Sequence, residues 1–240
     1  MARIFITGSA DGLGQLAARS LVEEGHKVVL HARNAERAEY ASKKVPGAEK
    51  VLIADLSDRE ETIRLAEEIN SEGTFQAIIH NAGVYHTSNQ QIFRVNTLAP
   101  YILTCLTHKP ERLIYMSSGM HLHGRPDLDN FDTGQISYSD SKLHDVILAK
   151  AVARKWPGVY SNAVNPGWVP TKMGGTGAPD SLRKGFETQV WLAVGEDARV
   201  SGKYFFHRKE SRYLKEADSI SLQEQFLSRC EQITGISFPG

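Results

Sequence analysis

The stretch RIFITGSADGLGQLAARSL, residues 3–21, constrains the fold more than any other. Arg3–Thr7 is a short apolar run of β type, and glycines follow at Gly8, Gly12 and Gly14. Leu13, Leu16, Ala17 and Leu21 then recur at helical spacing. A strand that turns through glycines straight into a helix begins a βαβ unit. It also aims the helix's free N–H groups and its dipole at whatever lies over the turn, an arrangement that favours phosphate. The spacing here is G-x-x-x-G-x-G, not the G-x-G-x-x-G of the common dinucleotide fingerprint. Taken alone, the turn fits a phosphate cradle or a ligand-free connection.

The remaining chain repeats the alternation. Strand-like runs fall at Lys27–Leu30, Val51–Ala54, Phe75–His80, Leu113–Met116, Ser161–Val164 and Tyr204–His207. Helical patterns fall between and after them at Asn34–Lys44, Gln90–Thr107, Ser139–Lys155, Leu182–Val194 and Leu222–Cys230. Ser57, with Glu60 three residues on, reads as a capping box opening a further helix. The strand runs lack alternation, as strands covered on both faces do. The expectation is an α/β, doubly wound, mostly parallel sheet of Rossmann type with helices on both faces, formed by one domain over residues 1–240. In such a sheet ligands sit at the carboxyl ends of the strands.

Twenty-eight basic residues balance 28 acidic ones, so no basic face is expected and nucleic acid is excluded as a partner. No apolar run approaches the ~20 residues that span a bilayer, and no signal peptide is visible, so a cytoplasmic protein without membrane contact is expected. Cys105 and Cys230 are too far apart to form a metal motif or a disulfide framework, and no metal is expected.

The loops after the strands carry a further pattern. Asn81-Ala82-Gly83 follows the fourth strand and Ser117-Ser118 the fifth. Tyr138-Ser139-Asp140-Ser141-Lys142 is a Y-x-x-x-K, and Asn165-Pro166-Gly167-Trp168-Val169-Pro170-Thr171 follows the sixth strand. With the glycine turn, this ordered set resembles the short-chain dehydrogenase/reductase family, whose turn is T-G-x-x-x-G-x-G. The stretch SSGMHLHGR is similar to the retinol-dehydrogenase-like branch.

The resemblance implies an oxidoreductase that moves a hydride between a nicotinamide and a carbonyl or secondary alcohol. Tyr138 takes the role of acid and base. Lys142, four residues on and on the same helical face, favours the phenolate and binds the cofactor ribose. Ser118 bonds the substrate carbonyl, with Ser117 as the rival. Asn96 holds a water that links the lysine to a proton relay. The cofactor is implied to touch Gly8, Ser9, Asp11, Gly12, Leu13 and Gly14 in the turn. It also meets Asp55 and Leu56 after the third strand and Asn81, Ala82 and Gly83 after the fourth. Pro166, Val169 and Thr171 hold the carboxamide.

At the end of the second strand, VVLHAR puts Ala32 where NAD enzymes carry an acid, with Arg33 next and Asn34 beside it. A guanidinium there binds a 2′-phosphate, so NADP(H) is expected over NAD(H), although Asp11 adds a negative charge to the turn. Met120, His121, His123, Trp168 and Met173 are expected to wall an apolar substrate pocket, roofed by the long insert before Tyr138. A homo-oligomer is expected, since family members often pair through the helices that carry Asn96 and Tyr138. The alternatives are an inactive NADP(H)-binding regulator of the same fold and an epimerase of the extended branch; the latter carries T-G-x-x-G-x-x-G instead.

Overall fold

The computed structural model describes all 240 residues. Its first half runs β1 (Arg3–Ile6), α1 (Gly12–Glu23), β2 (Lys27–Ala32), α2 (Ala35–Lys44), β3 (Lys50–Ile53), α3 (Arg59–Ser71) and β4 (Ala77–His80). A broken helix follows, made of α4 (Asn89–Ile92), a π-helical turn over Phe93–Leu98, and α5 (Ala99–Leu106). The second half holds β5 (Arg112–Met116), α6 (Tyr138–Lys155), β6 (Tyr160–Asn165), α7 (Leu182–Val194), β7 (Tyr204–Phe206), β8 (Lys209–Glu210) and α8 (Ile220–Thr234).

The strands form one sheet in the order β3-β2-β1-β4-β5-β6-β7-β8. Every pair is parallel except β7 with β8. The expected doubly wound architecture is therefore present. The strand order reverses between β1 and β4, where the ligand crevice of such a sheet opens.

Side chains alternate across the sheet and feed two cores. Phe5, Val29, Ile78, Leu113 and Tyr115 pack beneath α3, α5, α6 and α8. Ile4, Ile6, Leu30, Ile79 and Ile114 pack beneath α1, α2 and α7. The central strands β1, β4, β5 and β6 are buried on both faces, which is why their sequences read as apolar runs, whereas the edge strands β3 and β8 are largely exposed.

Three local features differ from the sequence reading. The helix expected over 90–107 breaks into a π turn around Asn96. Pro100 has no N–H to give the Asn96 carbonyl in a regular helix, and the ladder is interrupted there. The cap of α3 is Asp58, which accepts from the Glu61 N–H, and not Ser57. The helix starts at Arg59, one residue beyond the expected register, and Ser57 lies in the preceding turn, its N–H and hydroxyl donating to Asp55 at 2.9 and 2.7 Å.

The insert before Tyr138 does not roof the cleft. Its Leu128, Phe131 and Ile136 are buried in the larger core. Phe131 meets Phe93, His144 and Phe226 at ring separations of 4.8, 5.2 and 5.6 Å. Burial of these three apolar side chains fixes the insert against α6 and α8 as a wedge.

Candidate active site

The glycine turn packs against the end of β4. Gly8 has φ +62°, and a Cβ there would lie 2.8 Å from Ala82 Cα. A Cβ on Gly14 would collide with the Asn81 side chain and the Gly8 carbonyl. Asn81 Nδ2 donates to the carbonyls of Thr7 and Gly8, both at 3.0 Å, and the Ala82 N–H donates to Thr7 Oγ1. Two motifs far apart in sequence thus form one surface, and each glycine required by backbone contact is in place.

Ser9 is fully buried and braces the turn from behind. Its hydroxyl donates to the Ile6 carbonyl and accepts from the His31 N–H, each at 2.9 Å. His31 completes the brace. The Gly8 N–H donates to its Nδ1 at 2.9 Å, and its Nε2 donates to the Ala54 carbonyl at 3.0 Å. Burial pulls its pKa down to about 4, so the ring is neutral and keeps the acceptor that Gly8 needs. The sequence reading passed over His31. Its signal was an isolated histidine inside an apolar strand.

One cleft, of about 390 Å³, runs from this turn across the switch point. Gly8, Asp11, Gly12, Leu13, Arg33, Asp55 and Leu56 line its first end. Arg33 is exposed beyond β2 and makes no ion pair. Asp11 accepts from Arg37 at 2.6 Å and from Lys172 at 3.0 Å. Burial alone would raise the Asp11 pKa, but hydrogen bonds from Lys172 and Arg37 outweigh it and lower the value. The acid that seemed to oppose a phosphate is therefore neutralised by two cations. Asn34 faces elsewhere, capping α2 through the Arg37 N–H.

At the second end, Asn81, Ala82, Gly83, Ser117, Tyr138, Lys142, Pro166 and Thr171 meet. Ser137 and Asp140 close a capping box that starts α6 at Tyr138. The next turn of the helix then places Lys142 Nζ 5.7 Å from the Tyr138 ring centre. Lys142 is buried and donates to the Met116 carbonyl at 2.8 Å and to Asp145 Oδ2 at 2.9 Å. Ser117 is buried and donates its hydroxyl hydrogen to the Lys142 carbonyl at 2.6 Å. Ser118 accepts from the Met120 N–H at 3.2 Å, and its own hydrogen remains available.

Asn96 is buried in the π turn. It accepts from the Val84 N–H at 2.8 Å and donates to the Val84 carbonyl at 2.9 Å and to Ser141 Oγ at 3.1 Å. It ties the segment after β4 to α6 and so holds Gly83 beside Lys142. Val169 is buried behind the cleft, where it packs against Gly185.

The family model described as short chain dehydrogenase matches residues 2–181. The chain belongs to the short chain dehydrogenase family. An uncharacterized oxidoreductase of Emericella nidulans is 48% identical, with both chains fully covered. A short-chain dehydrogenase of Penicillium rubens, chyC, is 45% identical, again over the whole of both chains. Retinol dehydrogenase 13 of mouse is 27% identical over 98% of this chain and 84% of its own. Among solved structures, an uncharacterized protein from Mycobacterium Paratuberculosis superposes with TM-score 0.84 at 21% identity, covering 100% of this chain and 96% of that one. A blue fluorescent protein from a metagenomic library, in complex with NADPH, gives 0.71 at 19% identity over 85% and 95%. The chain is a short-chain-type oxidoreductase acting on CH–OH or C=O groups.

Within this family member, the expected substrate wall is corrected. His121 is fully buried, giving its Nδ1–H to the Ser118 carbonyl at 2.7 Å and receiving the Leu214 N–H at 3.3 Å. It is a structural tie. Met120 is exposed, and Trp168 is 59% exposed with its indole donating to the Gly174 carbonyl. Neither lines the cleft. Of the expected wall, Met173 does line the cleft, with its sulfur 3.9 Å from the Tyr138 hydroxyl. Tyr85 lies across Tyr138 at a ring separation of 4.4 Å. The sequence reading missed Tyr85, and its signal was an aromatic residue two positions after Asn81-Ala82-Gly83. No group of His, Cys, Asp and Glu in the structure could hold a metal, and no helix is long and apolar enough to cross a membrane.

Proposed function

We propose that this chain is an NADP(H)-dependent oxidoreductase that reduces or forms a carbonyl on a small, apolar substrate. The observation that carries the reading is the single cleft joining Arg33 and the glycine turn to Tyr138 and Lys142. The donor set suits the cofactor. Arg33, Arg37 and Lys172 are cations at the adenosine end, the N-terminus of α1 faces the phosphates, and Lys142 keeps an N–H for ribose oxygens. The nicotinamide, when bound, supplies or accepts the hydride.

The chain's own residues do the rest. Tyr138 gives a proton to the substrate oxygen during reduction and takes one during oxidation. Ser118, with its free hydroxyl hydrogen, bonds the same oxygen. Asn96 braces Gly83 and α6 so that Tyr138 and Lys142 keep their spacing. Pro166 and Thr171 border the nicotinamide end, Val84, Val95 and Met173 supply apolar walls, and Tyr85 packs on Tyr138. The NADPH-bound structural relative supports the cofactor assignment. Buried, unpaired Cys105 and Cys230 suit a reducing compartment such as the cytoplasm.

The outer face of α6 is already covered by α8 and by Phe131 of the insert. A homo-oligomer would therefore use another surface. The functional test is NADPH consumption with a panel of aliphatic and aromatic ketones and aldehydes, using Tyr138→Phe as the control. Turnover that disappears in the control supports the reading. Equal turnover in both proteins contradicts it.

A further inference from the structure

Lys142, beside Tyr138, has a buried counter-charge. Asp145, one helical turn further along α6, has a side chain 4% exposed, and that of Lys142 is 5% exposed. The carboxylate's one ion-pair partner is Lys142, at 2.9 Å. An ammonium has three hydrogens. Two are held by the Met116 carbonyl and Asp145, at 2.8 and 2.9 Å. The third is left for the cleft, on the side where a Cβ on Gly83 would lie 3.5 Å from Nζ.

We infer that Asp145 is a positioning residue, whose buried carboxylate keeps the Lys142 ammonium charged and turned so that its third N–H meets the bound cofactor. This inference rests on the assignment of Tyr138 and Lys142 to the reacting end of the cleft. A dry site disfavours a lone ammonium, so without a neighbouring anion Lys142 would give up its proton. Burial alone would lower the Lys142 pKa, yet Asp145 and Tyr138 reverse that and raise it.

The other groups facing the pair do not supply a charge. Tyr115 on β5 and Tyr204 on β7 are pushed by burial well above the usual phenol range and stay neutral. His144 on α6 is lowered by burial to about 4 and is neutral as well. Asp140, on the same helix, is tied to Arg125 at 3.1 Å. Asp145 is therefore the anion that compensates Lys142. Its own pKa is raised by burial, the expected cost of placing a carboxylate there.

The test is the pH dependence of NADPH binding, followed by nicotinamide fluorescence from neutral to alkaline pH, for wild type, Asp145→Asn and Asp145→Glu. The amide keeps the shape and a hydrogen-bond acceptor but removes the charge. Asp145→Asn should lose about tenfold more affinity than wild type as pH rises by about two units above neutrality, because Lys142 then deprotonates. Asp145→Glu should keep the wild-type profile. In a Lys142→Met background, adding Asp145→Asn should no longer change the profile.

Parallel profiles for wild type and a folded Asp145→Asn would overturn the inference. If Asp145→Asn does not fold, the glutamate variant decides alone: an alkaline loss despite its retained charge would overturn it, and a wild-type profile would support it. Failure of wild type to bind NADPH, or full carbonyl turnover by Tyr138→Phe, would instead overturn the underlying site assignment.

Discussion

The two ends of the cleft hold their charges in opposite ways. At the end that holds the glycine turn, the side chains of Asp11, Arg37 and Lys172 are 35%, 30% and 79% exposed, and Arg33 stands free. At the end that holds Tyr138, Lys142 and Asp145 are sealed from water. Water and salt screen the first group, so its partners exchange at little cost, and an incoming phosphate can displace Asp11. The second group cannot be rearranged cheaply, because separating a buried pair leaves an uncompensated charge. Under the proposed function, selectivity for the cofactor would rest where charges are adaptable, and chemistry where they are fixed.

The sharpest way to isolate the fixed end is Tyr138→Phe. It should lower turnover by about 10²–10⁴-fold while NADPH affinity, measured by fluorescence titration, stays near wild type. Lys142→Met attacks the same end through its charge. It strands Asp145 and should destabilise the fold by about 3–5 kcal/mol in denaturant unfolding.

The buried histidines extend the contrast to pH. His31 and His144 are lowered by burial to about 4, and His80 to about 3. The unfolded chain takes up these protons near the ordinary histidine value of ~6.5, whereas the folded chain resists until well below it. Stability from the neutral rings is therefore present above the unfolded value and lost as pH falls toward about 4, by up to about 3 kcal/mol per ring. Thermal melting across that range should show a steep drop, and His31 links it to the glycine turn. At the adaptable end the smallest effect is expected. Asp11→Asn frees Arg37 and Lys172 and should tighten NADPH binding a few-fold at low salt, with the gain vanishing at high salt.

The same contrast explains what could be read from the chain itself. TGSADGLG, Asn81-Ala82-Gly83 and the Tyr138–Lys142 spacing are local patterns tied to backbone geometry, and the structure brings them together as that geometry requires. The alternation of apolar runs likewise predicted the sheet, since parallel strands bury both faces. His31 and Tyr85 stand out in the sequence only as an isolated histidine and an aromatic residue, and the roles of both, like that of Asp145, depend on which distant segment packs against them. The insert was misread for the same reason. Leu128, Phe131 and Ile136 found a core to fill, and polar neighbours concealed them. Ser57 lost its cap role because α3 begins one residue later than expected, at Arg59, where Asp58 is the cap.

The cleft is proposed to bind NADP(H) through a phosphate clamp at Arg33. The most direct test of this proposal is to titrate the protein with NADPH and with NADH, for wild type and Arg33→Ala. The account predicts tighter binding of NADPH than of NADH, with the substitution weakening NADPH by about tenfold and leaving NADH unchanged. Equal binding of the two cofactors, indifferent to Arg33→Ala, would contradict it.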